Sequence, residues 1–112
     1  MNTFRDEALV LRTRDLGEAD RIITLLTRNH GLVRAVARGV RKTTSRIGAR
    51  LEPFNAVDVQ VRYGKTSLHN VEQVEILAPY GRSIAPDYSL YTTASLMMEI
   101  LERLSEEAWD TT

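Results

Sequence analysis

The chain has 112 residues, 43% of them hydrophobic and 27% charged, so it has the size of about one folded domain and a composition that indicates neither disorder nor a fibrous repeat. Cysteine is absent, which excludes disulfide bonds and thiolate zinc sites within these residues. Fifteen Lys and Arg residues balance fifteen Asp and Glu residues, and a net charge of zero, taken alone, would argue against a nucleic-acid or membrane partner.

The first part of the chain has the pattern of short β-strands. An apolar and then alternating run predicts a first strand over Ala8–Arg14, which ends at the turn-like cluster Asp15–Glu18. The β-branched and leucine residues of Arg21–Thr27 predict a second strand. It stops at Asn29–Gly31, where Asn and Gly readily adopt a positive φ. Gly31–Arg41 is predicted to be the third strand.

Two more strands are predicted after a connection. Lys42–Pro53 lacks a two-residue period and is expected to form a short helix or an irregular segment. Asn55–Tyr63 alternates strictly, with three valines on one face, which is typical of a half-buried strand. Thr66–Leu77 predicts a fifth strand, and its apolar phase slips between Leu68 and Val71, which a β-bulge or a bend would explain.

Five short strands, with room for a helix between the third and fourth, predict a mainly β fold. The OB-fold barrel is the commonest structure with this layout. Another five-stranded barrel or a sandwich is the alternative that the pattern leaves open. The barrel domain is expected to occupy residues 1–78.

A linker and a helix are predicted after the barrel. Ala78–Pro86 contains two prolines and a glycine, so residues 79–86 are expected to form neither helix nor strand. Asp87 can cap a helix that runs to about Ala108. The apolar arc of this helix is broader than one helix on a small barrel buries. Residues 87–112 are therefore expected to be the first helix of a larger helical domain, truncated here, or a surface for homodimerisation.

No set of residues typical of catalysis stands out. His30 and His69 lack a second histidine or carboxylate at the spacing of a metal site or a catalytic base. The carboxylates Asp15, Glu18 and Asp20 lack the regular spacing of a calcium loop, and ordinary turn and ion-pair chemistry is expected there. Neither a phosphate-binding loop nor a nucleophile elbow occurs. We expect a protein that is not an enzyme and a chain that holds no cofactor.

The charges are distributed very unevenly. Residues 21–50 contain eight basic and no acidic residues, residues 1–20 carry a net charge of −2, and residues 51–112 a net charge of −6. Such asymmetry indicates an anionic partner. A solvated face that only keeps the protein soluble is the alternative, but soluble faces usually mix both signs.

The basic residues of the third predicted strand are the candidate nucleic-acid site. Alternation places Arg34 and Arg38 about 13 Å apart, at ~3.3 Å per residue, far enough to contact separate phosphates. Arginine suits this role because its planar fork pairs with phosphate and also stacks on bases. The outward face is predicted to comprise Leu32, Arg34, Val36, Arg38 and Val40, and the inward face Val33, Ala35, Ala37 and Gly39. The complete candidate set is Arg34, Arg38, Arg41, Lys42, Arg46, Arg50 and Arg14.

Aromatic residues that could stack on bases are few near the predicted barrel. They are Phe54, Tyr63 and Tyr80, and Phe54 is also a candidate for the core. We therefore expect the affinity for nucleic acid to be mostly electrostatic, with a weak base preference and a strong dependence on salt.

Four blocks of sequence, in this order, resemble the amino-terminal region of the RecO family of bacterial DNA repair proteins. The similarity runs from about Glu7 to Leu104. The blocks are Glu7–Leu11 (EALVL), Gly17–Ile22 (GEADRI), Gly31–Arg41 (GLVRAVARGVR) and Ser45–Phe54 (SRIGARLEPF).

This resemblance implies an OB-fold domain followed by a helical domain, and a role in recombinational repair. Family members bind single- and double-stranded DNA, anneal complementary strands, and load RecA together with RecR and the single-stranded DNA-binding protein. The family's DNA-binding positions on the third strand map onto Arg34 and Arg38, with Arg41 and Lys42 just beyond. Some members carry a zinc motif in the helical domain, in a region outside these 112 residues.

The acidic residues near the N-terminus, where a secretory signal would need an apolar run, predict a cytoplasmic protein, and the resemblance places it near the nucleoid. No membrane partner is expected. Two other functions remain open: an RNA- or tRNA-binding OB module, and an interaction domain that assembles through its apolar helix.

Overall fold

The computed structural model describes residues 2–42 and 46–110. Five strands form a closed barrel in the order β1-β2-β3-β5-β4, with β3 and β5 parallel and all other neighbours antiparallel. The predicted mainly β fold, an OB-fold barrel followed by a helix, is confirmed. The elements are β1 (Thr3–Leu16), β2 (Asp20–Thr27), β3 (Gly31–Ala37), α1 (Ile47–Arg50), β4 (Ala56–Arg62), β5 (Leu68–Ala78), α2 (Tyr80–Ile84) and α3 (Tyr88–Asp110).

The barrel interior is filled by β-branched and small side chains, which suit the tight taper of a five-stranded barrel. The inward alternation predicted for β4 is confirmed, because all three of its valines are buried. The predicted inward face of β3 is also buried at Val33, Ala35 and Ala37. The largest fully buried side chains are Ile23, Leu25, Leu51, Val10, Val57, Val59 and Val61.

Strand β1 is longer than predicted because it pairs with two partners. It begins at Thr3 instead of Ala8, and its first half pairs with β4 while its second half pairs with β2. The sequence did not predict this extension because its residues are mostly polar. In the structure, Arg5 forms an ion pair with Asp58 of β4 at 3.0 Å. A register shift at Leu11 lets the strand bend from one partner to the other.

Strand β3 is shorter than predicted and ends at Ala37. Gly39 has a φ of 70°, a left-handed conformation that turns the chain out of the strand. Val40 was expected on the outward face but is buried in the barrel core, because the turn reverses the alternation. Val36 is also buried, although it does face outward, away from the barrel core.

The expected irregularity in β5 is confirmed as a β-bulge. Val71 pairs with Val61 and Gln73 with Gln60, which leaves Glu72 as the extra residue. The bulge lies just after the predicted slip. A second register shift occurs near the end of the strand, opposite Ala56.

The segment predicted to be neither helix nor strand contains the short helix α2. Gly81 is buried there, and its N–H donates to Oδ1 of Asn55 at 2.9 Å. A Cβ at Gly81 would lie 2.6 Å from the carbonyl oxygen of Pro53, so glycine is needed for this close approach. The Asn55 amide also donates to the carbonyl of Arg50 at 3.2 Å. One buried side chain therefore joins α1, β4 and α2.

Helix α3 begins where the sequence predicts. Oδ1 of Asp87 accepts the N–H of Leu90 at 3.0 Å, the expected capping hydrogen bond. The helix lies against β1 and β3. Tyr91 meets Phe54 edge to face at 5.7 Å between ring centroids. The broad apolar arc leaves an exposed face, made of Leu96, Met97, Ile100 and Leu104. No helix in residues 2–42 and 46–110 is long and apolar enough to cross a membrane.

The turn between β2 and β3 is organised by Asp6 of β1. Its carboxylate is 2% exposed and accepts the N–H of Asn29 at 2.8 Å and the Nδ1–H of His30 at 2.8 Å. It also accepts the N–H of Glu7 at 2.8 Å. Burial opposes ionisation of Asp6, but the hydrogen bonds from His30, Asn29 and Glu7 outweigh it and lower the pKa of Asp6.

The substitution Asp6→Asn is expected to lower the free energy of unfolding at neutral pH by about 1–3 kcal/mol, because an amide cannot accept all these hydrogen bonds. The pKa of Asp6 is lower in the folded state than in the unfolded state. Its stabilisation is therefore fully present above about pH 4 and is lost as pH falls through the folded pKa. Urea unfolding followed by circular dichroism should show that the wild type exceeds the variant in free energy of unfolding, and that this difference shrinks as the pH falls towards about 3. A difference that does not change with pH would contradict the conclusion that ionised Asp6 stabilises the fold.

The substitution Asn55→Ala should lower the free energy of unfolding by about 1–3 kcal/mol, because it leaves the buried N–H of Gly81 without its acceptor. Asn2→Ala is the matched control, since the Asn2 side chain is exposed and makes no hydrogen bond to the described residues. Urea midpoints of the two variants give the comparison. Equal midpoints would show that Asn55 does not stabilise the junction.

Candidate nucleic-acid interface

Helix α3 brings carboxylates onto the outward face of the barrel. Arg12 of β1 and Arg34 of β3 lie in one row, each paired across the sheet with Thr24 of β2. Glu102 of α3 has a side chain only 8% exposed and accepts from Arg12 at 2.8 Å and from Arg34 at 3.0 Å. Glu106 forms a further ion pair with Arg34. This network fixes α3 to the barrel.

Arg34 is therefore not a bare cation. Burial opposes its charge, but the hydrogen bonds and charges of Glu106 and Glu102 prevail and raise its pKa. The absence of carboxylates between Arg21 and Leu51 did not predict this pairing, because Glu102 comes from a helix 68 positions further along the chain than Arg34.

Arg41 and Arg38 lie in the turn after β3, not on the strand itself. Arg41 donates to the carbonyl of Gly17 at 2.7 Å and pairs with Asp15 at 3.4 Å, which ties this turn to the β1–β2 turn. The Arg38 side chain is 71% exposed. Its guanidinium lies 4.0 Å from the Asp20 carboxylate, which is long for an ion pair. The spacing of about 13 Å predicted for Arg34 and Arg38 assumed one continuous strand, so it does not apply.

The remaining candidates divide into one structural residue and three unpaired cations. Arg50 is half-buried and donates to the carbonyl of Val74 at 3.0 Å, so it holds α1 against β5. Lys42, Arg46 and Arg14 are exposed and form no ion pair with any residue that the structure describes.

We call Arg38, Lys42 and Arg46 the turn cations, because all three lie between β3 and α1. They are exposed and lie four positions apart along the chain, and only Arg38 has a carboxylate within 4.0 Å among the described residues. Exposed cations without carboxylate partners can bind phosphate without first breaking an ion pair. Arg14 lies apart from them, beside Arg12 and Arg34 under α3.

Arg62 is a cation that the sequence reasoning missed. It lines a groove of about 230 Å³ together with Arg38, Asn70 and Glu72. Arg62 is exposed and has no ion pair within the described ranges. Its position as the last residue of the alternating strand β4 was visible in the sequence. Its proximity to Arg38 was not, because only closure of the barrel brings these strands together.

The histidines and the carboxylate cluster have structural roles. His30 binds Asp6, and Nδ1 of His69 accepts the N–H of Gly64 at 3.0 Å. The predicted ion-pair chemistry of the first turn is confirmed, since Asp15 pairs with Arg21 at 3.4 Å. Among the described residues, no group of three or more His, Asp or Glu side chains could hold a metal ion.

The family model and the relatives that match this chain agree with one another. The family model described as "Recombination protein O N terminal" matches residues 1–80. The "DNA repair protein RecO" of Thermobifida fusca is 58% identical over 104 residues, which cover 93% of this chain and 42% of that protein. The protein of the same name from Streptomyces coelicolor is 56% identical over 112 aligned residues, covering 95% of this chain and 45% of that protein. This chain thus spans less than half the length of these relatives.

The substitution Glu102→Gln should lower the free energy of unfolding by about 1–3 kcal/mol, because it leaves Arg12 and Arg34 without their shared carboxylate. The loss is smaller than for a fully buried pair, since both guanidinium groups still reach solvent. Glu107→Gln is the matched control on the same helix, where the glutamate is exposed and has no partner in the described part of the chain. Thermal unfolding that gives both variants the same midpoint would refute a stabilising role for this network.

Proposed function

The chain belongs to the RecO family, and from that membership we propose that it is the DNA-binding part of a non-catalytic repair protein that acts in homologous recombination. The similarity covers most of this chain but less than half of its relatives. The activities and partners of the whole protein are therefore part of the proposal. We place the protein in the cytoplasm, associated with the nucleoid.

The observation that carries the DNA-binding proposal is the group of turn cations, with Arg62 beside one of them, Arg38. They are exposed, and none of them is held in a short ion pair with the described residues. Phosphates that bind there would release condensed counterions, which is the main source of sequence-independent affinity for DNA. Arg34, by contrast, is engaged by two carboxylates and serves chiefly to position α3.

Strand annealing requires little more than this arrangement. Cationic side chains that bind the phosphates of two strands reduce their mutual repulsion and leave the base edges free to pair. We propose, from the family, that the whole protein anneals complementary strands and acts with RecR and the single-stranded DNA-binding protein to load RecA. A zinc site, where family members have one, would lie outside these residues.

A second role is favoured by the exposed apolar face of α3. Leu96, Met97, Ile100 and Leu104 are each about half exposed, which is unusual for so many large apolar residues on one helix face. We propose that this face packs against further helices of a helical domain or against a second copy of the chain. It is an interaction surface that lies outside the group of turn cations.

Neutralising the turn cations tests the DNA-binding proposal. The triple variant Arg38→Gln, Lys42→Gln and Arg46→Gln should bind a labelled single strand roughly 10- to 100-fold more weakly at about 0.1 M salt. The slope of log K against log salt should become less negative by about 2, at ~0.7 per lost phosphate contact. Fluorescence anisotropy at several salt concentrations measures both quantities.

The control variant removes the same net charge elsewhere: Arg5→Gln, Arg28→Gln and Arg103→Gln, three arginines paired with carboxylates. It should keep nearly the wild-type affinity and slope. Equal weakening by both variants would mean that net charge matters and the turn cations do not form a site. Tighter binding of a matched RNA would favour an RNA-binding module, and undetectable or salt-independent binding would leave the apolar face of α3 as the functional surface.

A further inference from the structure

Four aromatic rings from distant parts of the chain meet at one end of the barrel. Phe4 of β1 stacks on His30 of the β2–β3 turn, with 3.9 Å between ring centroids and 19° between ring planes. Tyr63, which directly follows β4, is 5.1 Å from Phe4 and 5.4 Å from His69 of β5. We call these four residues the aromatic cluster.

The backbone around the cluster is firmly held. The N–H of Tyr63 donates to the carbonyl of Asn2 at 2.7 Å, and the N–H of Gly64 donates to His69 at 3.0 Å. A Cβ at Gly64 would lie 2.0 Å from the carbonyl oxygen of Leu68, so only glycine fits this turn. The backbone at Tyr63 is therefore held in place, and its ring packs against Phe4 and His69, which reduces the entropy lost on binding.

Tyr63 remains accessible although two rings support it. The residue is 47% exposed, and its hydroxyl makes no hydrogen bond to the described residues. An exposed aromatic ring with fixed orientation is the feature on which proteins stack the bases of single strands. Phe54 is buried and cannot do this.

Cations flank this ring and connect it to the turn cations. Arg62 and Lys65 are exposed and have no ion pair within the described residues. Arg62 precedes Tyr63 directly and shares its groove with Arg38. Two arginines and one glutamate, Glu72, line this groove, so it offers an excess of positive charge at Arg62, the residue before Tyr63.

We infer that Tyr63 stacks on a base of a single DNA strand whose phosphates are bound by Arg38 and Arg62. The inference rests on the proposed DNA-binding function and adds a contact to bases. A duplex already stacks its bases on one another, so Tyr63 should contribute to binding of single strands and not of duplexes. This contact would give the protein a preference for single strands over duplexes, which phosphate binding alone does not provide.

The test compares Tyr63→Leu with Tyr63→Phe and with Tyr88→Leu, which removes an exposed tyrosine of α3. Binding of a labelled single strand and of its duplex to the 112-residue chain is measured by anisotropy over a range of salt. Tyr63→Leu should weaken single-strand binding about 5- to 150-fold, which corresponds to ~1–3 kcal/mol for one stacked base. Its salt slope and duplex affinity should match those of the wild type, and the other two variants should bind normally.

An abasic strand with the same number of phosphates provides a test that does not depend on how the variant folds. The wild type should bind the abasic strand more weakly than the normal strand, and Tyr63→Leu should not distinguish the two strands. Wild-type binding that depends on salt but is unaffected by Tyr63→Leu or by loss of the bases would overturn the stacking contact and leave the proposed function intact. Equal loss for single strand and duplex would also overturn it. A wild type that binds no DNA would overturn both.

Discussion

Closure of the barrel by β3 and β5 is the constraint on which the rest of the structure depends. These strands pair in parallel through Arg34–Leu68, Ala35–His69 and Val36–Asn70. The short ladder removes the last open edges of the sheet and seals the valine-rich interior. It also brings the β3–α1 turn beside the end of β4 and the start of β5. Without it, Arg38 and Arg62 would not share a groove.

The charges of the folded chain are organised by distance in space and not by position in the sequence. The basic segment meets carboxylates supplied by β1, by the first residue of β2 and by α3. Arg34 and Arg41 are used to hold elements together, while the turn cations stay exposed. A run of eight basic residues is thereby divided into a structural group and a group that remains available for phosphate.

The turn cations and the exposed apolar face of α3 form two separate surfaces with different chemistry. The barrel presents cations and an aromatic ring, which together suit a flexible, charged strand. Helix α3 covers Arg34 and turns a row of large apolar side chains towards solvent. Such an exposed apolar row is typical of a surface that binds another protein and not of one that binds nucleic acid. The two surfaces suit different partners.

The sequence by itself determined the features that depend on neighbouring residues. Alternating valines predicted β4, Asp87 predicted the start of α3, and an apolar phase slip predicted the bulge in β5. The four sequence blocks, in their order along the chain, indicated the family. What only the tertiary structure decided is which residues meet: β1 extends to Thr3 because β4 pairs with it, and Glu102 neutralises Arg34 from 68 positions away. Local periodicity carries no information about such partners, because ion pairs and ring contacts depend on barrel closure and helix docking.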